Sequence, residues 1–169
     1  MSSPELALLV FEPEHAANNP AARSVTPATA NTLPFFSQGG WEGWLQVELA
    51  TFFLEAQYDV VREQKAYDNS KKADLVFNTL TAQSPEIVVE IKCESIYIEK
   101  VDAFLSKIHE DERKLSTLPE HKYGIMLVGV TEQDAEDKLI KEGYFLIPTV
   151  QNNMHLLYKV IKRCISKNL

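Results

Sequence analysis

The chain has 169 residues, 45% hydrophobic and 24% charged, with a formal net charge of −7. That size and balance fit one soluble domain with a substantial core. The acidic excess speaks against a broad phosphate-wrapping surface, yet suits an enzyme that meets phosphate through a metal. No run approaches the roughly eighteen apolar residues of a membrane span. The patch "LALLVF" lacks the basic start of a signal peptide, and Cys93 and Cys164 are too few for a disulfide framework. A cytoplasmic protein with two reduced thiols is expected.

Residues 1–38 read as a flexible N-terminal arm, because 12–38 are rich in Pro, Ala, Asn, Ser and Thr and show no apolar period. Residues 39–169 read as the folded domain. "GGWEGWLQVELATFFLEAQ" predicts a largely buried helix from near Trp41, with apolar side chains on nearly every face. "YDVVREQKAYD", "ADLVFNT" and "EIVVEIKCE" predict three strands in succession. "VDAFLSKIHEDERKLSTL" is an amphipathic helix whose apolar face holds Val101, Phe104, Leu105, Ile108 and Leu115, stopping before Pro119. "KYGIMLVGV" is a central strand covered on both faces. "TEQDAEDKLIKEG" is a helix with Thr131 as N-cap and Gly143 at its close. "YFLIPTV" predicts a strand, and "MHLLYKVIKRCISKN" a final helix with Lys159, Lys162, Arg163 and Lys167 on its polar side. The order predicts an α/β fold with a mixed central sheet flanked by helices.

Strand side chains alternate, so Val88, Glu90 and Lys92 share one face while Ile87, Val89, Ile91 and Cys93 share the other. A carboxylate and an ammonium on so apolar a strand must open onto a cleft, pair, or hold an ion. Asp74 opens the preceding strand, and a hairpin between the two strands sets it on the face of Glu90. Two close carboxylates repel, and a bound divalent cation relieves them. On the first helix, Glu48 falls in the arc of Trp41, Trp44, Leu45 and Phe52, with Glu55 two turns further on as its substitute. The plain alternative is a solvated edge strand with an ordinary cross-strand ion pair. The four histidines form no ligand spacing.

Glu48 on a helix, then Asp74, then Glu90-Ile91-Lys92, laid over helix–strand–strand–strand–helix, resembles the PD-(D/E)XK nucleases, the restriction-endonuclease-like superfamily. The likeness spans roughly residues 39–130, with Ala73 where the motif's name has proline. It implies an α-β-β-β-α-β core and a Mg²⁺ site, with Mn²⁺ as a possible substitute. Asp74 and Glu90 would be the ligands, Glu48 an auxiliary acid, and Lys92 the residue that orients water and meets charge developing on phosphorus. It also implies accessory roles for Gln64, Asp111 and Lys114.

The expected function is hydrolysis of nucleic-acid phosphodiesters, more readily DNA, in a restriction, mobile-element, repair or toxin context. A protein partner or a homodimer is compatible with that role. The rival is a nuclease-fold binding protein without activity, an immunity protein or assembly subunit whose acidity covers a basic partner.

Overall fold

Helix α1 (Glu42–Glu55) precedes three strands, β1 (Val60–Lys65), β2 (Lys72–Phe77) and β3 (Ile87–Cys93). Helix α2 (Val101–Ser116) leads to β4 (Tyr123–Val130), α3 (Gln133–Lys141), β5 (Phe145–Ile147) and β6 (His155–Lys162). This computed structural model describes residues 41–68, 70–80, 84–94, 100–148 and 154–164. The expected arm, residues 1–38, lies outside them.

The strands form one mixed sheet in the order β1-β2-β3-β4-β6-β5. Only β3 and β4 are parallel; every other neighbouring pair is antiparallel. A parallel pair needs a crossover, and α2 supplies it. The alternation of β3 sorts the core into two layers. Val88 joins Phe104, Leu105, Ile108 and Leu115 of α2 and Leu139 of α3 on one face. Ile87, Val89, Ile91 and Cys93 join Trp41 and, from α1, Leu45, Ala50 and Phe53 on the other. Strand β4 is buried along its whole length, as its uninterrupted apolar run requires.

The C-terminal segment overturns the expected last helix. Leu156, Leu157, Val160 and Ile161 have helical spacing, yet they lie on β6, antiparallel to β4 over Gly124–Val130. Without β6, one edge of the buried β4 would leave its N–H and C=O groups unpaired. In a sheet covered on both faces, that spacing serves both layers: Leu157 and Ile161 pack with α2 and α3, Leu156 and Tyr158 with the α1 layer. Lys159 and Lys162 are therefore strand residues.

Trp41 is almost wholly buried. Its indole Nε1 donates to the Glu94 carbonyl at 3.0 Å. A Cβ on Gly129 would stand 2.1 Å from the Trp41 ring, so the ring and the β4 backbone fit only with glycine there. Trp44, in the same arc as Trp41 and Leu45 by sequence, is 40% exposed. Among the described residues, no helix is long and apolar enough to cross a membrane.

Candidate functional site

The site forms where β2 and β3 part. Their ladder pairs Phe77 with Ile87, Val76 with Val88 and Leu75 with Val89. The next step sets Asp74 across from Glu90, and there a side chain takes over from the backbone. The Ile91 N–H donates to Asp74 Oδ2 at 2.6 Å. Gln46 Nε2 of α1 donates to Asp74 Oδ1 at 2.9 Å, and Arg62 Nη2 donates to Gln46 Oε1 at 3.2 Å.

Glu90 is 3% exposed. Its Oε1 accepts from the Tyr67 hydroxyl at 2.5 Å and meets Lys114 Nζ of α2 at 2.7 Å. The same ammonium sits 4.9 Å from the centre of the Tyr67 ring, so the aromatic face and the carboxylate hold it together. Lys92 lies between two acids, Glu42 Oε2 of α1 at 3.4 Å and Asp111 Oδ2 of α2 at 3.3 Å.

Burial is the main cause of the altered acidities. It pushes Asp74 up to about 7 against the Ile91 hydrogen bond, with the charges of Glu90 and Glu42 adding and that of Lys92 opposing. Burial also raises Glu90, while Lys114 and Tyr67 pull it back. For Lys92, burial works to lower the pKa, but Glu42 and Asp111 together outweigh it and the ammonium is stabilised. Tyr67 is held well above the usual phenol range by burial and by Glu90. These couplings join Glu42, Asp74, Glu90 and Asp111 with Lys92 and Lys114 into one electrostatic unit. Four carboxylates against two ammoniums leave it two negative charges in excess when all are ionised.

The period-two reading of β3 thus brings Asp74, Glu90 and Lys92 together, and Asp111 and Lys114 join them from α2. Glu48 does not join. It is exposed on α1, as is Glu55, while Leu45, Gln46, Ala50 and Phe53 face inward. Apolar residues surround this helix, so hydropathy did not dictate which face turns to the sheet, and the helix sits rotated from the expected arc. Glu42 takes the place expected of Glu48, with Gln46 one turn on. Gln64 is exposed on β1.

Three participants escaped the sequence reading. Glu42 and Gln46 carried no signal beyond their i, i+4 spacing. Tyr67 follows β1 and is buried with its hydroxyl inward, a pattern that marks a polar partner only once Glu90 is known to face it. Glu94 escaped as well, although it continues the Glu90, Lys92 alternation and so carried a signal. It is 3% exposed, and its Oε2 accepts from the backbone N–H of Thr131 at 2.8 Å and of Glu132 at 3.0 Å. The N-cap of α3 is Glu132, not the expected Thr131, and the buried carboxylate of Glu94 serves the helix start in place of a local cap.

The donor set suits a hard divalent cation. No group of three or more His, Cys, Asp and Glu side chains among the described residues forms a metal cage. Mg²⁺ commonly takes only one or two carboxylates from a protein and completes its shell with waters and substrate oxygens. Asp74 and Glu90 meet that count. Tyr67 and Lys114 both engage Glu90 through Oε1. Compared with family models, with curated proteins and with solved structures, the chain matches none.

Proposed function

We propose that this chain is a metal-dependent nuclease with a restriction-endonuclease-like core, hydrolysing phosphodiester bonds of nucleic acid, DNA in preference to RNA. The carrying observation is the charge excess at the Asp74–Glu90 step. Half-buried Asp74 and buried Glu90 stand at opposed positions on adjacent strands, and their unit lacks the two positive charges that one Mg²⁺ or Mn²⁺ supplies.

A cation held by Asp74 and Glu90 would contribute Lewis-acid charge at a phosphate. The chain's own residues prepare that place. Gln46 and the Ile91 N–H orient the Asp74 carboxylate, while Tyr67 and Lys114 orient Glu90 through one oxygen. Asp74, with its pKa near 7, exchanges a proton in the neutral range. Lys92, kept protonated by Glu42 and Asp111, offers an ammonium to charge that grows on the phosphate.

The test is cleavage of plasmid and single-stranded substrates in Mg²⁺ or Mn²⁺ against EDTA. Lys92→Ala should lower the rate roughly 10²–10³-fold, the usual scale for losing one such contact. Wild-type protein that leaves every substrate intact in both metals would overturn the proposal.

One observation favours a second reading, a binding protein on the same fold. Each charged group at the site already has an internal partner, which is what a lapsed site settles into. Under that reading Lys92→Ala weakens a protein complex and there is no cleavage to lose.

A further inference from the structure

We infer that the β1–β2 hairpin is the surface along which a nucleic-acid backbone approaches the Asp74–Glu90 step, an inference that rests on the nuclease reading of that step. Residues 62–72 carry Arg62, Lys65, Lys71 and Lys72 against the acids Glu63 and Asp68, in a chain whose formal charge is −7. All four basic residues are exposed. A locally positive edge on an acidic protein draws a polyanion to that edge and away from the rest of the surface.

The register makes the concentration of charge costly. Lys65 is the direct cross-strand partner of Lys72. Like charges placed opposite each other destabilise a strand pair. Protection of an edge strand explains a charge on β1, but lysine opposite glutamate would protect it equally well and attract besides. The acid that does meet Lys72 is Glu63, at 3.8 Å with both side chains more than half exposed, a pairing too solvated to offset much. Glu63 itself has φ of 52°, a left-handed backbone inside a strand, at the step facing Asp74 where no β1–β2 partner is paired. Strain of this kind persists where the surroundings enforce it and gathers at functional sites.

The hairpin is also wired to the site. Arg62 donates to Gln46, and Gln46 donates to Asp74. A phosphate that engages Arg62 therefore touches the same hydrogen-bond chain that orients the candidate metal ligand. Lys72 stands two residues before Asp74 on β2 with Lys65 paired to it, so the lysine pair sits at the open end of the parted ladder.

The test is binding of a short labelled duplex and a short labelled single strand in EDTA, read by fluorescence anisotropy across a salt series, with cleavage in Mg²⁺ assayed alongside. The Lys65→Gln, Lys72→Gln double variant should lose roughly tenfold in affinity at low salt, and the slope of log K against log salt should fall by about 2. Lys65→Arg, Lys72→Arg should keep both. The melting temperature of the glutamine variant should be unchanged or higher, because the opposed charges are gone. Wild-type cleavage with unaltered affinity in the glutamine variant would overturn the hairpin inference and leave the nuclease reading standing. Wild-type protein that neither binds nor cleaves would overturn the nuclease reading, and the hairpin inference with it.

Discussion

Lys114 holds its ammonium against the Glu90 carboxylate, where its charge would oppose a divalent cation. Its ammonium is 2.7 Å from Oε1 and rests over the Tyr67 ring, so any cation bound by Glu90 feels its repulsion or displaces it. Removing that charge while keeping an apolar stem over Tyr67 should tighten cation binding. Lys114→Met is expected to raise Mg²⁺ or Mn²⁺ affinity roughly three- to tenfold, measured by titration calorimetry. It should also cost on the order of 1–3 kcal/mol of metal-free stability, because the nearly buried Glu90 keeps only Tyr67 as a partner. Unchanged or weaker cation binding would show that Lys114 does not compete there. At this scale the sequence was readable where alternation along a strand decides which face a residue takes, as for Asp74, Glu90 and Lys92. It was unreadable for Tyr67, which only long-range packing brings to Glu90.

At the scale of elements, most of the architecture was legible because burial imposes a period. Strand β4 is apolar throughout and lies between two neighbours; α2 shows one clean stripe and sits over the sheet on it. Two elements were not. Helix α1 is apolar all round, so its sequence names a buried helix without naming the face that turns inward, and Glu48 was misplaced for that reason. Strand β6 carries paired apolar residues that fit a helix stripe and a doubly covered strand equally well; only the unpaired edge of β4 decides between them. The contact between α1 and β4 can be tested at its tightest point. Gly129→Ala puts a methyl group inside the Trp41 ring and must push the indole off the Glu94 carbonyl. A loss of about 1–3 kcal/mol in chemical denaturation is expected, with a shift in tryptophan emission. Stability equal to wild type would mean that the α1–sheet packing is looser than the 2.1 Å approach requires.

For the whole molecule, the raised carboxyls of the site link stability to pH, and a metal bound there would act with the opposite sign. Asp74 in the folded chain holds its proton to about pH 7, whereas its ordinary value is 3.8. Between those values the folded state carries more protons than the unfolded chain, so raising the pH favours unfolding. The penalty from Asp74 is absent below about pH 4, grows through the interval, and is complete above 7. Glu90, also raised, acts in the same direction. Under the metal-dependent reading a divalent cation would reverse this, because it would bind the ionised carboxylates and expel the proton first. In EDTA the melting temperature of the wild type, measured relative to Asp74→Asn, should fall as pH rises from 5 to about 8. Adding Mg²⁺ should raise the wild-type melting temperature by an increment that grows over the same interval, since binding to the folded state alone stabilises it. Asp74→Asn should lack the increment, because asparagine has no charge to offer a cation. Wild-type curves that superimpose with and without Mg²⁺, at pH values above 7 where Asp74 is ionised, would remove the divalent cation from this site and leave its excess negative charge to a basic protein partner.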